Sequence, residues 1–134
     1  FVGHSRTTNI IGASVTAAAF LALAAFGHTS AAGAVALLAI VGGAGMSYGM
    51  LMAHGRAFFP PESIGRGVTF MNFAFIAGAG LVQILSGYGV EALQGAGVQP
   101  AGVYAVLHGA FGAGLAVTVV IYLFSKPGPA TRSP

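Results

Sequence analysis

The sequence predicts an all-α integral membrane protein with four transmembrane helices, and three observations support this fold class. Of its 134 residues, 56% are hydrophobic and 5% are charged, whereas a soluble surface needs roughly a quarter to a third of its positions charged. The few charges are separated by long apolar stretches. These stretches do not alternate apolar and polar residues as barrel strands would, so the spans should be helices. A soluble domain, a disordered chain and a disulfide scaffold are excluded.

The charge-free stretches set the number of spans. A helix needs about 20 mainly apolar residues to cross the hydrocarbon layer, and the three long stretches without charge hold 49, 24 and 34 residues. The first has room for two spans if the chain turns at the polar residues 27–30, where Thr29 or Ser30 would cap the second helix. We therefore predict spans at about 9–26, 31–53, 68–88 and 103–124, with loops at 54–67 and 89–102 and a tail at 125–134.

The basic residues predict the orientation. With four spans, the N-terminal segment, the 54–67 loop and the 125–134 tail share one side of the membrane, and this side holds all five lysines and arginines. Glu91 is the one charged residue on the other side. The positive-inside rule makes the basic side cytoplasmic. We expect a multi-pass plasma-membrane protein, in a bacterium the inner membrane, with both termini of this segment cytoplasmic and the lipid bilayer as its surroundings.

Polar residues within the third span are the first candidates for a solute pathway. Asn72 and Gln83 are eleven residues apart, or three helical turns, so they lie within roughly 20° of one another on the helix. Ala79 and Ser86 fall on the same stripe. An amide facing lipid costs several kcal/mol, so this stripe should face protein or water. Two interpretations stay open: the amides line a solute pathway, or they bond neighbouring helices and hold them together.

Three further polar side chains within the spans are candidates for a functional role. Ser47 and Tyr48 lie deep in the second span, and Tyr48 is the stronger pathway candidate because a buried phenol needs a hydrogen-bond partner. His108 in the fourth span is a possible protonation site. Its alternative is a neutral imidazole bonded to a neighbouring helix.

The sequence argues against several other functions. No span contains Asp, Glu, Lys or Arg, which disfavours a self-contained proton-coupled pump. The four histidines are scattered without the spacing of metal ligands, and no nucleophile has an evident base. We therefore expect no enzyme activity, no cofactor, no metal and no nucleic-acid partner.

Small residues repeat at four-residue spacing and predict close helix packing. These residues are Gly45, Gly49 and Ala53 in the second span, Ala74 and Gly78 in the third, and Ala105, Gly109 and Ala113 in the fourth.

Residues 54–67 read HGRAFFPPESIGRG and are followed by VTFMNF. This segment resembles the cytoplasmic connection between the tenth and eleventh helices of the major facilitator superfamily (MFS). Members of that family often show a proline, a short gap, Arg-Gly, and then a helix with small residues and an Asn. The resemblance continues through Gln83 to Gly87. It implies that the four spans are helices nine to twelve of a twelve-helix bundle, whose tenth and eleventh helices line the central cavity.

The resemblance also implies a place for three charged residues. Arg56, Glu62 and Arg66 would lie at the cytoplasmic mouth, where charge pairs could form in one conformation and break in the other. The alternative is that Arg56 and Arg66 only anchor the topology.

We expect the chain to be the C-terminal part of a secondary transporter that moves a small solute by alternating access, together with the missing N-terminal helices. The chain opens with Phe1 rather than methionine, which favours a fragment. Two alternatives remain: a complete four-span protein working as an oligomeric exporter, and a non-transporting membrane subunit.

Overall fold

The computed structural model of the chain describes residues 5–44 and 48–125, and this part is all-helical. The helices are α1 (Ser5–Phe26), α2 (Ala31–Ala44), α3 (Tyr48–Arg56), α4 (Ile64–Gly95) and α5 (Pro100–Leu123), with a short 3-10 helix at Pro61–Ser63. Four helical stretches are long and apolar enough to span a membrane: Arg6–Phe26, Ala31–Arg56, Pro61–Gly95 and Pro100–Leu123. The second of these includes residues 45–47, which lie outside the described part. The predicted all-α class with four candidate spans is confirmed.

Two helices extend beyond the predicted spans. The first helix starts at Ser5 rather than near residue 9, so it carries Arg6 in its first turn. The third span was predicted to end at residue 88, but α4 continues to Gly95, and Glu91 therefore lies on a helix rather than in a loop. At 1.5 Å per residue, the 32 residues of α4 extend about 48 Å, which exceeds the hydrocarbon thickness of about 30 Å.

The predicted turn at residues 27–30 is present. Gly27 N–H donates to the Leu23 carbonyl at 2.9 Å and ends α1, and Thr29 N–H donates to the Phe26 carbonyl at 2.9 Å. Ser30 Oγ then accepts from Gly33 N–H at 3.2 Å. Ser30 is therefore the N-cap of α2, one of the two caps that the sequence predicts.

The connection between α4 and α5 uses glycine and proline for their backbone properties. Gly97 has φ +78°, in the left-handed region that favours glycine. Its N–H donates to the Gln94 carbonyl at 2.9 Å, and Val98 N–H donates to the Leu93 carbonyl at 3.0 Å, which closes the last turn of α4. Pro100 starts α5, where its missing N–H costs nothing.

The core lies between α1 and α5, which run antiparallel. Its buried apolar residues are Ala17, Ala19 and Leu23 of α1 and Val103 of α5. Gly112 of α5 is buried against Leu21, and a Cβ on it would lie 2.8 Å from Leu21 Cγ and 3.1 Å from the Leu21 backbone nitrogen. We call the end where α1 begins and α5 finishes the Arg6 end, and the end holding residues 27–30 and 96–99 the turn end.

The small-residue spacing predicted close packing in three helices, and the structure shows it in one of them. A Cβ on Gly109 would lie 3.6 Å from Ala24 Cβ, so α5 does approach α1 along this line. A Cβ on Gly49 or on Gly78 would meet nothing within 4 Å. Gly45 lies outside the described residues. The spacing of small residues therefore showed which helices could pack closely, but it did not show which pair of helices is in close contact.

Helix α4 is packed far less than α1 or α5. Its one buried residue is Gly67, at the start of the helix. Large apolar side chains such as Phe70, Phe73 and Tyr88 are about two-thirds exposed, at 67%, 66% and 68%.

Candidate functional site

The structure brings two of the predicted pathway residues together. Tyr48 at the start of α3 donates its hydroxyl to Asn72 Oδ1 of α4 at 2.8 Å. The Tyr48 ring also packs on Phe75, with ring centroids 4.5 Å apart. The Tyr48 phenol therefore has the hydrogen-bond partner that a phenol within a membrane span needs. The bond joins α3 to α4 and uses one acceptor of the Asn72 amide.

Gln83 lies on the same α4 stripe as Asn72 and is exposed. Within residues 5–44 and 48–125 its side-chain amide has no hydrogen-bond partner. Its backbone carbonyl accepts from Ser86 Oγ at 2.9 Å, so the hydroxyl of Ser86 is satisfied within the helix. Gln83 is thus the member of the stripe whose donors and acceptors remain available. Ser47, the fourth predicted pathway residue, lies outside the described residues.

The three charged residues predicted at the membrane mouth are close in sequence but not paired. In the part of the chain that the structure describes, Arg56, Glu62 and Arg66 form no ion pair. Their segment is instead positioned by apolar packing: Phe59 covers Gly67, where a Cβ would lie 2.6 Å from the ring, and the Met71 thioether lies against Gly55. The structure supplies no charge pair in this conformation, and both interpretations of these residues stay predictions.

His108 makes ring contacts instead of the hydrogen bond that one interpretation expected. Its ring is stacked with Phe20 of α1, centroids 6.0 Å apart, and with Tyr104 one turn earlier, 6.4 Å apart, both at an interplanar angle of 27°. No hydrogen bond to the imidazole occurs among the described residues. Both interpretations of His108, a protonation site and an imidazole hydrogen-bonded to a neighbouring helix, therefore stay predictions.

A polar cluster at the Arg6 end was missed by sequence reasoning. Arg6 donates to the Leu123 carbonyl at 2.6 Å and to Ser125 Oγ at 3.4 Å. Asn9 is 5% exposed and donates to the Tyr122 hydroxyl at 3.3 Å, while its buried Oδ1 has no partner among the described residues. These bonds fasten the start of α1 to the end of α5.

His54 extends this cluster to α3. It is 4% exposed, and its ring meets Phe58 and Tyr122 edge-on at 5.2 and 5.7 Å. The topology was the one feature of the sequence that pointed to this cluster. In a four-span chain the start of the first helix and the end of the fourth lie on the same side of the membrane, so Asn9 and Tyr122 lie at similar depth. Nothing in the sequence showed that these two helices are neighbours.

Two of the cavities between the described helices are lined by candidate residues. The larger, about 770 Å³, is bounded by α4 and α5 with Phe20 of α1 at its side. Most of its lining is apolar, and its hydroxyls, from Ser86 and Thr118, bond to carbonyls of their own helices. The smaller, about 220 Å³, lies between α1, α2 and α5 at the turn end and contains His28, Tyr104 and His108.

No known protein family, curated protein or solved structure matches this chain. Among the described residues, no group of three His, Cys, Asp or Glu side chains could hold a metal ion. What the chain does must therefore be inferred from its own residues.

Proposed function

We propose that this chain is the C-terminal part of an MFS-type secondary transporter, which moves a small solute across the membrane by alternating access. One observation carries the proposal: within its predicted span α4 bears Asn72 and Gln83 on one stripe, while most of its surface is left uncovered by the rest of the described chain. A spanning helix with this pattern needs either a water-filled path or further protein against the stripe.

The chemistry of the stripe fits an uncharged or weakly polar solute. Asn72 is bonded to Tyr48, and Gln83 keeps both its donors and its acceptor. No charged residue lies between positions 68 and 88, so recognition there would rest on hydrogen bonds. In transporters built from repeated helix bundles, such sites lie near the bilayer midplane where the bundles meet. The partner bundle would be the N-terminal helices of the same protein.

Uptake measurements in the full-length carrier test this proposal. We expect Asn72→Ala and Gln83→Ala each to lower uptake of the transported solute about five- to tenfold, the effect of losing about one net hydrogen bond. The matched control is Thr69→Ala on the same helix, whose hydroxyl bonds to the Gly65 carbonyl at 2.9 Å, and uptake by this variant should be unchanged. All variants are compared at equal amounts in the membrane. Normal uptake by both amide variants would remove α4 from the pathway.

The exposed surface of α4 also fits a second function, since another copy of a four-span protein could cover it. That protein would be an oligomeric exporter or a non-transporting subunit. Native mass spectrometry of the cellular product separates the two: an oligomer of 13.3 kDa chains favours the second function, and a single much longer polypeptide favours the carrier.

A further inference from the structure

The larger cavity lies between two helices that each present one face to it. On α4 the lining runs from Val82 to Leu93, and on α5 it runs from Val106 to Thr118. The lining residues of each helix recur every three or four positions, which is the spacing of neighbours on one helix face. Neither amide of the α4 stripe is among them, so the cavity is not the site that we propose for the solute.

The chemistry of the lining favours a hydrocarbon occupant. Among the described residues, no charged side chain, histidine or amide lines the cavity. Its two hydroxyls, of Ser86 and Thr118, already donate to carbonyls of their own helices at 2.9 Å. A polar ligand would therefore lose its hydrogen bonds to water without gaining new ones, whereas an apolar ligand has none to lose.

The dimensions of the cavity fit an extended chain rather than another helix. At 1.5 Å per residue, the stretch from Val106 to Thr118 is about 18 Å long. The volume of about 770 Å³ spread over this length gives a mean cross-section of about 43 Å², whereas a helix about 10 Å across has about 80 Å². A helix would cover the mouth of the cavity and leave a void beneath it, and the atoms around a void lose van der Waals contacts.

The position of the cavity relates it to one leaflet of a bilayer. Leu93 is in the last turn of α4 and Val106 is in the second turn of α5, so the cavity begins near the turn end. From there it runs inward for about 18 Å, slightly more than half of a hydrocarbon layer about 30 Å thick. Lipids of the leaflet at the turn end hold their acyl chains at this depth, roughly parallel to the helices.

We propose that an acyl chain of a membrane phospholipid, from the leaflet at the turn end, occupies the larger cavity. The chain exchanges one hydrocarbon environment for another, so its preference for the cavity comes from filling the space between α4 and α5 rather than from the hydrophobic effect. This inference goes beyond the proposed transport function. It rests on the four apolar helices spanning a membrane, and not on a transported solute.

Photo-crosslinking of the full-length protein in nanodiscs tests the proposal. Two probes are compared, each a phosphatidylcholine with a diazirine on one acyl chain, and crosslinked peptides are identified by mass spectrometry. With the diazirine near the carbonyl, we expect labels close to Leu93 and Val106. With the diazirine near the terminal methyl, we expect labels close to Val82 and Thr118. Labels confined to other faces of the helices overturn the proposal.

Two glycines of α4 separate this site from the lipid that surrounds the whole protein. Gly89 lines the cavity and Gly87 does not, and a Cβ on either one meets nothing within 4 Å. Gly89→Phe fills the cavity and should remove the labels inside it. Gly87→Phe is the matched control and should keep them. Gly114→Phe fills the cavity from the α5 wall, where a Cβ also meets nothing within 4 Å, and should act like Gly89→Phe.

A thermal melt shows whether each variant is folded, and if Gly89→Phe is not, the decision rests on Gly114→Phe against Gly87→Phe. The proposal is overturned if the filling variants keep the labels at the level of Gly87→Phe. It is also overturned if a diazirine-bearing oleate labels the cavity and neither phospholipid probe does. A protein without labels on any of the four helices would not lie in the bilayer, and the transporter proposal would then fail as well. Labels on the outer faces alone overturn only the proposal made for the cavity.

Discussion

Helix α4 is about as apolar as helices α1 and α5, but the three differ in how much they are packed. Helices α1 and α5 bury residues against each other, whereas α4 is mostly exposed. The α1–α5 pair holds all the buried apolar residues of the core and is closed at the Arg6 end by the bonds of Arg6 and Asn9. Helix α4 contacts the rest of the described chain mainly near its start, through Gly67, Met71 and the contacts of Asn72 and Phe75 with Tyr48, and it forms one wall of the larger cavity. One region is a packed interface, and the other leaves most of its surface exposed.

The difference shows what apolar composition can and cannot say about a membrane protein. Apolar length identifies a span because lipid accepts any apolar surface. It does not identify the neighbours of that span, since lipid tails are as apolar as leucine and helices associate through close fit and hydrogen bonds instead. The contacts that distinguish α1–α5 from α4 are therefore made by single residues: Gly112, Arg6 and the Asn9 amide with Tyr122.

The largest effect is expected at the closest approach in the packed interface. Gly112→Leu should lower the free energy of unfolding by about 2–3 kcal/mol, because its side chain would have to displace Leu21 and the α1 backbone. Gly114→Leu is the matched control: a Cβ there meets nothing within 4 Å, and the residue lines the larger cavity. Reversible denaturant unfolding in mixed micelles measures both. Equal losses in the two variants would mean that α1 and α5 are no more closely packed than the cavity wall.

A smaller effect is expected at the buried amide of α1. Asn9→Ala removes the donor to the Tyr122 hydroxyl, and should cost about 1–2 kcal/mol of unfolding free energy. The loss is limited because no described residue bonds to Asn9 Oδ1, so the substitution removes no bond there. Tyr122→Phe in the Asn9→Ala background should cost little more, since the bond is already lost. If Asn9→Ala and Tyr122→Phe, each made alone, unfolded like the unchanged chain, the polar cluster would not stabilise the α1–α5 pair.

Much of the fold could be predicted from the sequence because it follows from local rules. Charge-free length gave four candidate spans, and the cap and turn residues gave the boundary at residues 27–30. The end of α4 could not be placed in this way. Gly89, Gly95 and Gly97 are all plausible stops, and the helix ends where Gly97 adopts its left-handed conformation rather than at the first glycine.

The candidate site could be predicted only as a set of residues. The sequence singled out Tyr48, Asn72, Gln83 and His108 because polar groups are costly in lipid. It did not show that Tyr48 bonds Asn72 or that His108 stacks with Phe20 and Tyr104, because those contacts depend on how separate helices are placed. Asn9 was overlooked because it stands at the end of a span, where an amide is unremarkable until the helix beside it is known.

The smallest effect is expected at the bond that ties α4 to α3. Tyr48→Phe keeps the ring on Phe75 and removes only the hydroxyl that donates to Asn72. Both residues are at a partly exposed contact, so the loss should be about 0.6 kcal/mol, the average for a bond between membrane helices. Denaturant unfolding of Tyr48→Phe and Asn9→Ala under the same conditions therefore compares the free energy lost at the α3–α4 contact with that lost at the α1–α5 pair. A loss at Tyr48 as large as that at Asn9 would show that α4 is fastened to the chain as firmly as α1 is to α5.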